Sequence, residues 1–281
     1  MILRTEFGKG LPETRKGHVS TLGVLYDDIG NAQPRNSKCH RNTVVPECSN
    51  RVLEEFGIPG IEVQRWTKYW GTTYDFKAPR DYRKNSVAVV ATHDSSILCA
   101  WWEFEAGTVD GELFRRKCQE AGIPFDTVKG ELFDLNNSLH GRLRWKYKIH
   151  NSDMLLKMLN CSHDRARDII TLYKESYDEK KKFWDYAGMG SKFGEKCSHD
   201  LIRFALERIN SAASIFSIQL LSDWISVDCL YECDFWGMRI NFPGTVSDKN
   251  WSLASDLPLE DILTLPINNV IRKLIEKAER V

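Results

Sequence analysis

Two kinds of apolar pattern alternate along this chain. Residues 87–91 (VAVVA) are apolar on successive positions and rich in β-branched side chains. Such a run suits a strand buried on both faces of a parallel sheet. Residues 61–64 (IEVQ) and 214–221 (SIFSIQLL) read as two further strands. Elsewhere apolar residues recur at helical spacing. Val52, Leu53 and Phe56 do so within 46–57, where Pro46 suits a first turn and Gly57 a stop. Residues 151–160, 164–177 and 199–209 show the same period. One more helix is predicted to begin near Ser95 and to carry Trp101 and Trp102. The tail, 259–280, reads as two helical pieces broken at Pro266.

Strands alternating with helices predict an α/β protein with a parallel sheet. Residues 106–210 form a long helical excursion expected to add no strands. Residues 1–44 are rich in Gly, Asn, Arg and Lys and lack periodicity. They read as loop around one short strand and turn at 22–30 (LGVLYDDIG), a divergent segment before the organised part of the chain. No fixed-period repeat is present.

Composition changes this picture little. With 42% hydrophobic and 28% charged residues, the chain is an ordinary globular protein of one large or two small domains. Lys+Arg and Asp+Glu balance at 39 each, which argues against nucleic acid or an anionic membrane as partner. No apolar run is long enough to span a bilayer, and MILRTEFGKG lacks the apolar centre of a secretory signal. A cytoplasmic location is the resulting expectation. The eight cysteines are scattered and read as reduced thiols. Nine tryptophans supply flat faces of the kind that stack on sugar rings.

The first chemistry lies where 87–91 runs into Thr92-His93-Asp94. In α/β barrels catalytic groups stand at the carboxyl ends of strands, and His93 and Asp94 hold such a position. Asp94 or Ser95 could equally cap the following helix. Spacing leaves both readings open. Cys-Ser-His-Asp occurs twice, at 161–164 and 197–200. Cys and His together raise zinc, but the spacings are not those of zinc fingers. Both tetrapeptides precede helical runs, so the spacing reads as Ser caps with acid in the first turn. No metal site is expected, and Cys229 and Cys233 read as free thiols. Neither a serine nucleophile elbow nor a phosphate-binding glycine loop is present. The 241–251 loop (NFPGTVSDKNW) turns at Pro243-Gly244. Its amides, charges and indole are the mixture that grips sugar hydroxyls and ring faces.

Taken together, these stretches resemble a family. THD (92–94) followed by WW (101–102), then INFPGT…NW (240–251) and LPLEDIL (257–263), resemble the C-terminal part of amylomaltase-type 4-α-glucanotransferases. VPECSNRVLEEFGIPGIEVQRW (45–66) resembles the segment just after that family's catalytic acid. The resemblance covers residues 45–281. It implies the C-terminal portion of a (β/α)8 TIM barrel, incomplete here, with an inserted helical segment over about 106–210. It also implies retaining glycosyl transfer on α-1,4-glucans. The donor is a maltooligosaccharide, the acceptor is glucose or another maltooligosaccharide, and no cofactor takes part.

By the same resemblance Asp94 matches the carboxylate that stabilises the transition state, and His93 matches a group that binds the donor sugar. Trp66, Trp70, Asn241 and Trp251 are candidate sugar contacts. The family's nucleophile, in an Arg-Ile-Asp-His strand end, has no match in this chain. The position of its acid, in Glu-Asp-Leu-Gly, falls on Cys39-His40-Arg41-Asn42-Thr43, and Asp27-Asp28-Ile29-Gly30 stands out of register with it. The expectation is a truncated copy without nucleophile or acid/base, with a complementing N-terminal fragment as a possible partner. The alternatives are a non-catalytic glucan-binding or partner-binding remnant and a structural α/β domain that uses THD only as a cap.

Overall fold

The computed structural model describes residues 49–190, 194–228, 234–254 and 257–280. The divergent segment 1–44, its predicted strand at 22–30, Pro46, and Cys229 and Cys233 lie outside the described residues. The first helix, α1 (Ser49–Glu55), ends at Gly57, whose φ of +63° suits glycine.

A parallel sheet follows, ordered β1 (Gly60–Val63), β2 (Ser86–Val89), β6 (Phe216–Ser217). Gly60 pairs with Ser86 and Val63 with Val89. The Arg83 guanidinium lies over the Gly60 α-carbon, 2.1 Å from where a β-carbon would stand, and reaches on to Glu62 at 2.7 Å. A β-carbon at position 60 would therefore have to push the Arg83 head off the strand.

The third strand is shorter than the apolar run at 214–221 predicts. Phe216 and Ser217 pair with Val87 and Ala88, after which the chain bends away. The Gln219 side chain then takes over the ladder: its Oε1 accepts from the Val90 amide at 2.8 Å and its Nε2 donates to the Ala88 carbonyl at 3.2 Å. Ile215, Phe216 and Ile218 are exposed along this edge.

After β2, a one-turn helix α2 (Leu98–Ala100) widens into a π-helical turn, Trp101–Glu105. Trp101 and Trp102 are buried there. They form one core with Ala88, Val90, Leu98, Phe183 and Trp184, joined by Leu201, Ile202 and Leu206.

The segment read as purely helical also folds a second sheet. It is antiparallel and ordered β3 (Thr108–Asp110), β5 (Arg142–Trp145), β4 (Phe133–Asp134). Strands as short as TVD and FD carry too few positions for a period to show, and RLRW has no β-branched or continuous apolar run to mark it. Helices α3 (Gly111–Glu120), α4 (Phe125–Leu132), α5 (Ser152–Leu159) and α6 (Arg167–Ser176) pack on this sheet. Together they enclose a separate core around Phe114, Phe133, Trp145, Leu155 and Ile169.

Helices α7 (Glu179–Ala187) and α8 (His199–Asn210) return to the first core. At the neck between the two bodies, the Glu179 carboxylate accepts from the Gly107 amide at 3.1 Å and pairs with the buried Lys68 ammonium. The chain closes with α9 (Leu221–Ile225), α10 (Leu259–Ile262) and α11 (Ile267–Lys277), the last two separated at Pro266 as the pattern predicts. No helix among the described residues is long and apolar enough to cross a membrane.

The cysteine reading needs correction. Cys99 in α2 and Cys197 before α8 have α-carbons 5.3 Å apart and are paired as a disulfide. Residues 98 positions apart in sequence meet only through the fold, so spacing carried no trace of the pair. Cys118 and Cys161 are free, and burial pushes the Cys118 thiol up to about 11. Of the two Cys-Ser-His-Asp stretches, one caps as expected: the Ser198 hydroxyl accepts from the Leu201 amide at the start of α8. The other stands ahead of α6, which begins at Arg167 with no side-chain cap.

Candidate functional site at the carboxyl end of the parallel strands

Residues 92–95 form a tight turn at the exit of β2. The Ser95 hydroxyl accepts from the Thr92 amide at 2.8 Å and donates to the Thr92 carbonyl at 3.1 Å. This pins His93 and Asp94 at the corners, where their side chains keep 45% and 38% of their exposure. Neither Asp94 nor Ser95 caps the next helix. The Leu98 amide is taken instead by the carboxylate of Asp223, 2.8 Å away on α9. Because another element supplies the cap, Asp94 keeps its carboxylate for the surface.

Asp94 is held from the 239–241 segment. The Asn241 side-chain amide donates to Asp94 Oδ1 at 2.6 Å, and the Arg239 guanidinium donates to the Asp94 carbonyl at 2.8 Å. Arg239 also donates to the Asn241 carbonyl at 3.0 Å, and the Asn241 amide donates to the His93 carbonyl at 3.1 Å. Asp94 Oδ2 faces His93 Nε2 at 3.4 Å. The Trp251 ring leans on the His93 imidazole with centroids 5.0 Å apart. Trp251 has φ +62°, a strained conformation for a large side chain, held by its amide donating to the Ile240 carbonyl at 2.8 Å. Within the loop, Asn250 is structural: its Oδ1 accepts from the Phe242 amide and its Nδ2 donates to the Thr245 carbonyl.

The structure thus brings His93, Asp94, Asn241 and Trp251 together. It places Trp66 and Trp70 apart from them, on the turn after β1, where the Trp70 indole N–H donates to the Trp66 carbonyl at 3.1 Å. Both are half-buried. Trp66 is tied to the cluster through its neighbour: the fully buried Arg65 stacks 5.7 Å above the Trp66 ring and donates to the Ser96 hydroxyl at 3.0 Å.

Beneath the cluster runs a polar layer that sequence reading missed. Ser96 donates to Glu105 at 2.7 Å, and Glu105 faces Arg239 at 3.6 Å. Burial raises the Glu105 carboxyl, but Arg65, Arg142, the Ser96 hydroxyl and Arg239 outweigh it and hold the group below its ordinary value. Asp223 has the opposite balance. Burial pushes its carboxyl up to about 6, against the weaker pull of the Leu98 amide and Arg65. Arg65 stands two residues past the end of β1, and that position was the one available sign of an internal guanidinium.

A carboxylate, an imidazole, an amide and an indole converge at the carboxyl end of parallel strands, where α/β proteins place their chemistry. The chain belongs to the 4-alpha-glucanotransferase family, glycoside hydrolase family 77, whose profile matches residues 43–257. It is 22% identical over 220 residues to the 4-alpha-glucanotransferase of Chlamydia trachomatis, covering 78% of this chain and 28% of that protein. The corresponding protein of Chlamydia pneumoniae is 23% identical over 235 residues, or 83% of this chain and 31% of that one. The chain therefore spans under a third of the length of these relatives.

Two solved structures are also similar. The amylomaltase from Streptococcus agalactiae in complex with acarbose aligns with a TM-score of 0.44 at 15% identity, over 84% of this chain and 30% of that one. The amylomaltase from Corynebacterium glutamicum aligns with a TM-score of 0.46 at 13% identity, over 83% and 27%.

Proposed function

We propose that this chain carries the stabilising-carboxylate side of a 4-α-glucanotransferase site that acts on α-1,4-glucans by retaining transfer. One observation carries the reading. Asp94 and Asn241 lie in the two motif stretches that resemble the family, and they meet in a 2.6 Å hydrogen bond on an open surface. A carboxylate held beside a sugar ring binds its hydroxyls and favours the positive charge that develops at the reacting carbon. His93 contributes a second polar contact to the donor sugar, and Trp251 a ring face. Trp66 and Trp70 fit contacts further along the glucan. The reaction needs neither metal nor organic cofactor.

The three parallel strands belong, in this reading, to the C-terminal portion of a (β/α)8 barrel into which the segment around 106–210 is inserted. The exposed apolar side chains of Ile215, Phe216 and Ile218, on and beside β6 at the edge of the sheet, support further strands pairing there. The nucleophile and the acid/base come from outside residues 45–281, on a complementing N-terminal segment. The partners are a maltooligosaccharide donor and a glucose or maltooligosaccharide acceptor.

Calorimetry with maltotetraose, alongside product analysis with maltotriose, tests this. Expected is binding that Asp94→Ala abolishes, with glucose and longer maltodextrins formed only when the missing barrel half is supplied. A folded chain that binds no maltodextrin overturns the reading. Binding without turnover even beside that half supports the second reading, a glucan-binding module, which the missing nucleophile and acid motifs favour.

A further inference from the structure

His140 stands in the loop between β4 and β5 on the second body, yet it reaches the candidate site. Its imidazole lies flat on the indole of Trp236, with centroids 4.1 Å apart and planes at 8°. Phe104, from the π-helical turn, meets both rings edge-on, at 4.8 Å to His140 and 5.9 Å to Trp236. Arg239 in turn lies 6.0 Å over Trp236 and 4.8 Å over Phe242, and this is the guanidinium that holds the Asp94 carbonyl. One line of contacts therefore runs from His140 through Trp236 and Arg239 to Asp94.

The backbone at the tip is shaped to present that ring. His140 has φ +54° and Gly141 φ +74°, and an L residue in this left-handed region is disfavoured. Two hydrogen bonds fix the conformation. The Gly111 amide donates to the Gly141 carbonyl at 2.9 Å, and the Arg142 amide donates to the Leu139 carbonyl at 2.9 Å. A β-carbon on Gly111 would come within 2.8 Å of that carbonyl, so the start of α3 is also fitted to the tip.

We propose that His140 is a positioning residue: by stacking on Trp236 it braces the 234–251 loop and, through Arg239, which holds the Asp94 and Asn241 carbonyls, keeps Asn241 in place to orient the Asp94 carboxylate. What that carboxylate does rests on the glucanotransferase reading; the brace itself does not. The second body then acts as a support for the site and not merely as a neighbour of it.

Hydrogen–deuterium exchange on the whole chain tests the brace without any glucan. The reporters are the Asn241 amide, bonded to the His93 carbonyl, and the Trp251 amide, bonded to the Ile240 carbonyl. His140→Ala is expected to speed their exchange roughly 2- to 10-fold, the range that a single aromatic pair sets. Amides of α8 should be unchanged. His140→Phe, which keeps a flat ring, should restore protection. Unchanged exchange at Asn241 and Trp251 in His140→Ala overturns the proposal, as does a speeding that spreads equally to α8.

Maltotetraose affinity separates the two readings. It should fall in His140→Ala by a similar factor and return in His140→Phe. Wild-type affinity in His140→Ala, despite a loosened loop, overturns the positioning role. A wild-type chain with the expected exchange pattern but no glucan binding sinks the glucanotransferase reading and leaves the brace standing.

Discussion

Asn241 donates its side-chain amide to the carboxylate of Asp94 across 147 positions of sequence, at 2.6 Å. The bond orients the carboxylate while leaving its second oxygen beside His93. A hydrogen bond to a charged acceptor contributes about 1.5–3 kcal/mol. Asn241→Ala is expected to lower the stability read from the urea midpoint by up to that amount and, because the carboxylate loses its orientation, to weaken maltodextrin binding by roughly 10-fold or more. Titration calorimetry beside urea denaturation checks both halves. An unchanged affinity would remove Asn241 from the site.

Arg65 is a guanidinium closed inside the first body, bonded to Ser96 and facing the carboxylates of Glu105 and Asp223. Removing one partner of a buried ion group typically costs 3–5 kcal/mol. Arg65→Met should destabilise the chain by about that amount, and urea denaturation reads it directly. A loss under about 1 kcal/mol would place the stability elsewhere.

Asp223 gives the protein a pH signature. Its folded carboxyl is raised to about 6, above its unfolded value, so the folded state binds the extra proton. Stability from this group is therefore greatest in acid and declines as pH rises through about 6, with a slope of up to about 1.4 kcal/mol per pH unit. Asp223→Asn keeps an oxygen for the Leu98 amide and removes the proton. Urea midpoints measured from pH 4.5 to 7 should lose this slope in the variant. Identical profiles for the two proteins would show that Asp223 does not titrate in this range.

Cys99 and Cys197 close a loop of 98 positions. A cross-link of that span removes up to about 4–5 kcal/mol of unfolded-chain entropy. Excess dithiothreitol, or Cys99→Ala with Cys197→Ala, should lower the urea midpoint to the same extent. Peptide mapping without reductant should recover the linked pair. A midpoint indifferent to reductant counts against the bond.

How much of this was legible beforehand depended on the range of the signal. The run at 87–91 announced β2, and Pro266 announced the break between α10 and α11, because both are local patterns. The strand at 214–221 was overextended. Its apolar letters continue past the point where the Gln219 side chain replaces the main chain in the ladder. Strands β3 and β4 were missed because they are three and two residues long, and β5 because its four residues, RLRW, hold no β-branched or continuous apolar run. At the site, the motif letters drew attention to Asp94, His93, Asn241 and Trp251, but not to Arg239, Glu105 or Arg65. Their roles depend on burial and on partners far away in sequence, which no spacing rule records. The same holds for the cap on Leu98, which comes from Asp223, 125 positions later.

The Glu179 carboxylate at the neck has a wider meaning. It grips the Gly107 amide where the chain leaves for the second body, and it belongs to the first helix after the chain returns. Departure and re-entry therefore occupy one point. The stretch between them is a cassette with its own core, entered and left at the edge of the first body. Beyond that neck, the cassette leans on the first body where His140 stacks on Trp236 and where the Arg144 guanidinium donates to the Glu103 and Ala106 carbonyls, so its hold on the site is a matter of a few side chains at its rim.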